Sequence, residues 1–392
     1  MHPLDHPDRL AFDLDEDAVL VGQAARTFAR ERLLPGAEAR DQSGEFPLAF
    51  FPELAGLGLL AMKVAIADGG SGLDNVAYLL AMIGVAGGCA STAVILASSN
   101  LATWILGQHA SPEQKERWLR PYAEGALGPA SFALSEPHCG SDAAALRTLA
   151  RRDGDHYVLD GSKMWITSGA HAGIHVVFAT TDPGAGPRGI ACFVVERGTP
   201  GLVVGREEDK MGQRASGTVA LHFDGCRIPA ANRIGREGEG YRIALSALGG
   251  GRVGIAGLCL GIAEEAYAEG RAYASERRAF GERVLDFQNT RFVLADTRTE
   301  LDAAWLLALR AARLLDRRGH APAESSMAKL YASEACGRAV DRMLQLHGGY
   351  GYSRAYRIER LYRDARVARI YEGSSEIQRL VIGRAIADPS ER

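Results

Sequence analysis

The chain has 392 residues, 47% hydrophobic and 24% charged, an ordinary globular composition in a chain too long for one compact core, so two or three domains are expected. With 45 basic against 48 acidic residues the formal net charge is −3, which excludes a global field favouring nucleic acid or an anionic membrane and leaves anionic ligands to local arginines and backbone amides. The six cysteines, Cys89, Cys139, Cys192, Cys226, Cys259 and Cys336, include no C-x-x-C pair, which argues against a zinc site or a disulfide framework and for a reducing compartment.

The acidic start M-H-P-L-D-H-P-D-R-L shows neither an apolar h-region nor an arginine-rich transit pattern, and no run approaches transmembrane length. A cytoplasmic location is expected. From about Asp15 to Glu124 apolar residues recur at helical spacing. Val19, Leu20, Ala24, Phe28, Leu33 and Leu34 mark one helix ending near Pro35, and Leu54, Leu57, Leu59 and Leu60 a second. Val76, Leu79, Leu80 and Ile83 mark a third, and Val94 to Leu106 a fourth. Ser111 followed by Pro112 and Glu113 opens a fifth, with serine at the N-cap and proline at the first helical position.

After Gly125 the periodicity changes. Short β-branched and aromatic runs at Pro129–Leu134, His156–Leu159, His175–Thr180, Ile190–Val195 and Thr218–Phe223 are separated by turn dipeptides, which predicts an antiparallel, barrel-like domain. Helical pattern returns in long segments near 240–276, 285–317, 322–347 and 352–386, which implies a four-helix bundle. The expected architecture is a multidomain α+β chain: a helical domain over 1–124, a β-barrel domain over 125–236 and a four-helix bundle over 237–392.

Several stretches carry chemistry. Phe132 to Asp142 reads F-A-L-S-E-P-H-C-G-S-D, a loop whose small donors and exposed amides suit a polar planar ligand and its phosphates. His171 and His175 have the spacing of a metal-binding helix, but G-A-H-A-G-I-H-V-V-F reads as a turn entering a strand. Residues four apart are then roughly 13 Å from each other, too far for one zinc. The run Gly249-Gly-Gly-Arg-Val-Gly254 lies in a helix, where each interior glycine costs about 1 kcal/mol against alanine, so a ligand approaching the backbone is expected there. Tyr362 to Leu380 reads Y-R-D-A-R-V-A-R-I-Y-E-G-S-S-E-I-Q-R-L: a charged helix breaks at Gly373, and Ser374 or Ser375 caps the next. Glu372 then sits at a helix-to-helix corner, either as a solvated acid or as a partly desolvated base.

The run I-Y-E-G-S-S-E-I-Q-R-L, preceded by Y-R-D-A-R, resembles the C-terminal signature of the acyl-CoA dehydrogenase family. L-S-E-P-x-x-G-S-D and Gly161-Ser-Lys-Met-Trp-Ile-Thr-Ser-Gly169 resemble its flavin-contacting motif and the segment after it, so the likeness spans nearly the whole chain. The resemblance implies Glu372 as catalytic base and FAD as cofactor, contacted by Phe132, Ala133, Leu134, Ser135, Gly140, Ser141, Trp165, Ile166 and Thr167. It further implies FAD contacts at Ser374, Ser375 and Glu376, and, across a subunit boundary, at Arg277, Phe280, Gln288, Gln345, Leu346, Gly348 and Gly349. Ser141, Arg252 and Gly373 are implied as substrate contacts, with Arg252 associated with the CoA portion. His138 and Cys139 stand where relatives commonly have small residues and are read as shape variants, whereas Gly249 stands where relatives often have an acid or amide that contacts pantetheine or adenosine.

The reaction implied is removal of a proton from the carbon alpha to a thioester by Glu372, with hydride passing from the beta carbon to flavin N5, giving a trans-2-enoyl-CoA. An electron-transfer flavoprotein would accept the electrons, and a homotetramer is implied, with no metal, no nucleic acid and no membrane. Rival readings are a dehydrogenase of carrier-protein thioesters, a flavin oxidase or hydroxylase, and a DNA-binding flavoprotein, the last opposed by the near-neutral charge and the absence of a basic tail. Gly251, where some relatives carry their base, suggests short or branched acyl groups, and the absence of arginine from Ala90 to Leu101 speaks against a distal carboxylate.

Overall fold

The computed structural model describes residues 14–387, so the leader-free reading of the first residues lies outside it. The order is helices, strands, helices. In the N-terminal part, α1 (Glu16–Phe28) starts where the Asp15 carboxylate accepts from the Asp17 amide, then runs through a π turn and a 3-10 turn rather than continuing to Pro35. Two short helices follow, α2 (Ala37–Ser43) and α3 (Phe51–Gly56). The buried pair α4 (Asn75–Gly88) and α5 (Ala90–His109) comes next. Asp74 caps α4 by accepting from Ala77. Ser111 forms the expected cap, completed as a capping box by Gln114, and α6 (Pro112–Gln114), a π turn and α7 (Arg120–Ala123) end this part.

The middle domain is an eight-stranded sheet. Its strands are β1 (Ala130–Ala133), β2 (Leu149–Asp153), β3 (His156–Thr167), β4 (Ile174–Thr180), β5 (Ile190–Glu196), β6 (Leu202–Glu207), β7 (Thr218–Pro229) and β8 (Arg233–Ile234). The hydrogen-bonded path β6-β7-β3-β2-β4-β5-β8 is open, and β1 joins β4 in parallel. The expected closed antiparallel pattern is therefore corrected to an open sheet with two parallel contacts, β1 to β4 and β2 to β4. Three strands escaped the sequence reading: β2 is mostly exposed and lacks an apolar run, β6 is exposed and its apolar start is cut short by Gly205, and β8 is two residues long.

The C-terminal part contains α8 (Gly240–Glu276), a two-stranded hairpin β9 (Arg278–Ala279) and β10 (Glu282–Arg283), α9 (Gln288–Arg318) and α10 (Pro322–His347). The fourth expected helix is in fact divided into a 3-10 turn, α11 (Arg357–Arg366), and, past the corner, α12 (Ser375–Ala387). Two helices, α5 and α8, are long and apolar enough to cross a bilayer, which corrects the expectation that no run reaches that length; both are mostly buried inside the protein.

Helix α8 is central because one of its faces has no side chains. A Cβ at Gly254 would overlap the Tyr78 hydroxyl, one at Gly257 would lie 2.9 Å from Met82 Cβ, and one at Gly261 2.5 Å from the Ile83 carbonyl. These glycines let α4 approach backbone to backbone. In the sheet, the buried Lys163 ammonium lies 2.7 Å from Glu136, whose carboxylate also accepts from the Arg147 and Thr148 amides and the Thr148 hydroxyl. Burial works against that carboxylate, but Lys163 and these donors hold it below the usual range, while burial lowers Lys163 itself against the pull of Glu136.

Two stability predictions follow from these contacts. Gly261→Ala should lower stability by about 1–3 kcal/mol through overpacking, whereas Gly249→Ala, whose Cβ meets only Leu315 at 3.4 Å, should be neutral or stabilise by up to about 1 kcal/mol; paired thermal melts read the difference. Lys163→Met, which strands Glu136 without its cation, should cost about 3–5 kcal/mol, and adding Glu136→Gln should recover much of that in a denaturant titration.

Candidate active site

The chain leaves α11 through a 3-10 turn at Val367–Arg369 and reverses at Glu372 and Gly373, with φ of 51° and 89°. A left-handed glutamate is uncommon and persists only where its surroundings hold it. Here Gln378 Nε2 donates to the carbonyls of Glu372 (3.1 Å) and Gly373 (2.8 Å), and Lys329 Nζ donates to the Gly373 carbonyl at 2.7 Å. The first residue of α12, Ser375, does not cap it: its hydroxyl bonds Glu334 at 2.8 Å, and Ser374 takes the cap.

A second clasp comes from the middle domain. The loop before β7 brings the Gly212 backbone against the backbone of Arg363 and Asp364, where a Cβ would overlap. The Gln213 amide donates to the Asp364 carboxylate, and its side-chain nitrogen donates to the Asp364 carbonyl (3.0 Å) and the Tyr371 hydroxyl (3.2 Å). Tyr371 directly precedes the glutamate.

The Glu372 carboxylate points inward. Its Oε2 is buried without a hydrogen-bond partner and fills the place a side chain at residue 251 would take; a Cβ there would also lie 2.7 Å from Leu101. Burial pushes its pKa up to about 7, against the cations Lys329, Arg252 and Lys63. Burial likewise lowers Lys329 and Lys63, each to about 8. Arg252 is 7% exposed and donates to Ser326 at 3.1 Å, so it is buried near the Glu372 carboxylate rather than open to solvent. The acid of this corner is the desolvated alternative, and Gly251 is what makes room for it.

The other predicted residues fall into two groups. Along the sheet, Ala133, Leu134 and Ile166 are buried and present only backbone; Ser135 is anchored by its carbonyl to the Met164 amide at 2.9 Å, while Gly140 and Ser141 are exposed. The β3–β7 register shifts between Lys163 and Ile166, and Trp165, with φ of 63°, turns outward to 61% exposure. An exposed indole beside half-buried Phe132 and Thr167, the open Gly140 loop and the buried, unpartnered Ser168 hydroxyl is a surface that a planar, polar flavin fits.

The second group lies on the bundle's far end. Arg277 stacks on Tyr350 at 5.6 Å, next to Gly348 and Gly349, while Phe280 is 98% exposed on the hairpin tip with Gln288 beyond it. Gln345 is exposed and Leu346 half-buried at the end of α10. Among the described residues, no hydrogen bond or ring contact joins this group to Trp165 or Glu372.

Of the possible metal ligands, His171 stacks on Phe46 and bonds Glu207, and His175 bonds Ser131. Glu136, His138 and Cys139 do cluster, but both Glu136 oxygens are already engaged. Four site residues escaped the sequence reading: Lys63, Gln213, Lys329 and Gln378. Only Lys329 left a signal, as a cation on the apolar stripe Ser326-Met-Ala-Lys-Leu330.

Comparison with known proteins agrees over the chain's length. Models of the acyl-CoA dehydrogenase N-terminal, middle and C-terminal domains match residues 15–126, 131–226 and 238–387. The chain is 45% identical over 372 residues to the mitochondrial short-chain specific acyl-CoA dehydrogenase of Rattus norvegicus, covering 94% of this chain and 90% of that one. It is 39% identical over 377 residues to the short-chain specific enzyme of Clostridium acetobutylicum, covering 96% and 99%. The solved butyryl-CoA dehydrogenase of Megasphaera elsdenii superposes with a TM-score of 0.93 at 37% identity, covering 96% of this chain and all of that one. Three matched domains in order and a likeness over the full length leave one assignment: the chain belongs to the acyl-CoA dehydrogenase family.

Proposed function

We propose that the protein dehydrogenates a short acyl-CoA thioester between its alpha and beta carbons, with Glu372 as the base. The observation that carries this reading is the Glu372 Oε2 atom, buried, unbonded and facing the side-chain-free position of Gly251. FAD held against Trp165 and the Ser135–Ser141 loop would supply the hydride acceptor.

The protein's own part is proton transfer and positioning. Glu372, ionised, takes the alpha proton and becomes a carboxylic acid, while the beta-carbon hydride departs and the new C=C bond takes up the alpha-carbon electron pair. A carboxylate alone is too weak a base for such a proton, so the thioester oxygen needs a donor as negative charge develops. The Glu372 amide forms no hydrogen bond among the described residues and, in its left-handed turn, is free to serve. Leu101 and Tyr78 give the carboxylate apolar and neutral neighbours among the three cations, and water exclusion strengthens each of these contacts. The exposed Phe280 and the Arg277–Tyr350 pair support a second copy docking on the hairpin. Electron transfer to an electron-transfer flavoprotein and assembly as a homotetramer belong to the same proposal.

Glu372→Gln keeps the corner's bonds, which run through its carbonyl, but loses the base. It should bind FAD normally while anaerobic bleaching by butyryl-CoA slows by about 10²–10⁴-fold; wild-type bleaching rates in the variant would reassign the base. Because burial raises Glu372 to about 7, kcat/KM for the wild type should fall tenfold per pH unit below about pH 7 and level off above it. A profile flat from pH 5 to 8 would contradict this.

A further inference from the structure

Successive positions of α8 face two charged groups from different parts of the chain. The Lys63 ammonium, on the loop before α4, lies against Gly250, and Glu372 Oε2 lies against Gly251; a Cβ at either glycine would overlap its neighbour. Lys63 is half-buried and stands 4.7 Å above the ring centroid of Tyr78. It forms no hydrogen bond and no ion pair among the described residues, in contrast to Lys329, which bonds the Gly373 carbonyl, and Arg252, which bonds Ser326.

That contrast assigns separate duties. Lys329 and Arg252 are cations near the base, but each also holds structure. Lys63 makes no such bond; beyond the Tyr78 ring beneath it, what favours an ammonium at this half-buried position is a nearby negative charge. The groups facing it are Tyr78, neutral and deeply buried; Asn75; and Asp316 at the exposed end of α9, which accepts from the Asn75 amide and side chain at 2.9 and 2.6 Å. On the inner side it faces Glu372. The groups facing Glu372 are Lys329 from α10, Arg252 from α8, the neutral hydroxyls of Tyr371 and Tyr78, and apolar Leu101 from α5.

Resting on the assignment of Glu372 as base, we propose that Lys63 is a positioning residue for the reaction, a cation held off the carboxylate that keeps Glu372 ionised without occupying the lone pair that takes the proton. A lysine bonded directly to Oε2 would stabilise the same charge but compete with the substrate for that lone pair. Gly250 is the enabling residue, since any side chain there would displace the ammonium.

The test follows the protonated-carboxyl band of Glu372 in infrared difference spectra of the holoenzyme, assigned by its absence from Glu372→Gln. It is titrated in wild type, Lys63→Met, Lys63→Gln and Lys63→Arg. Removing the cation should raise the Glu372 midpoint by about one pH unit, move the acid limb of flavin reduction by butyryl-CoA with it, and cost about tenfold at pH 6. Lys63→Arg should restore the wild-type midpoint, and FAD content should be unchanged throughout. A midpoint that stays at the wild-type value in Lys63→Met or Lys63→Gln overturns the proposal, as does a loss of FAD or thermal stability with no shift. If no acyl-CoA bleaches the wild-type flavin, the dehydrogenase reading fails while the infrared titration still decides the role of Lys63.

Discussion

The constraint on which this molecule depends is the absence of side chains along one face of α8. Glycines at 254, 257 and 261 bring α4 into backbone contact, and those at 250 and 251, one turn earlier, leave space for Lys63 and Glu372. Packing and chemistry draw on the same device. A helix carrying so many interior glycines is intrinsically poor, and the burial of its apolar residues against α4, α5, α9 and α10 is what offsets that weakness.

The second requirement is electrostatic. A glutamate in a left-handed turn, desolvated and without a donor on Oε2, is unfavourable on three separate grounds. It persists because the bonds that fix the corner run to its main chain, through Gln378 and Lys329, and leave the carboxylate itself unrestrained. The loop and strand around Glu136 and Trp165 are treated differently. There Lys163 and Glu136 make a fully bonded buried pair, which stiffens the strand from which Trp165 projects. An unbonded carboxylate at Glu372 and a fully bonded one at Glu136 are thus built from the same residue types, distinguished by whether the charged atoms or only the backbone receive the hydrogen bonds.

Much of this was legible in the sequence. Helix α8 runs over Gly240–Glu276 and α10 over Pro322–His347, as periodicity and glycine breaks indicated, because long apolar-striped helices carry a strong signal. The Y-E-G corner was legible because glycine after an acid marks a turn whatever the tertiary context. The exposed strands β2 and β6 were not, since their stability comes from ladder bonds to β3 and β7 rather than from alternation. Lys63 and Gln213 were invisible for another reason. Each reaches the Glu372 corner from a part of the chain distant in sequence, and nothing local distinguishes a lysine that ends beside a carboxylate from one in solvent. Ser375 looked like a cap by type and was diverted by Glu334, a partner 41 positions away.

The Gly212 contact has one more implication. Main chain meets main chain there, and Gln213 binds both Asp364 and Tyr371. No rotamer change can loosen such a joint, so the sheet that carries Trp165 and the turn that carries Glu372 are seamed through main chain, and a substitution that disturbs one side is felt at the other.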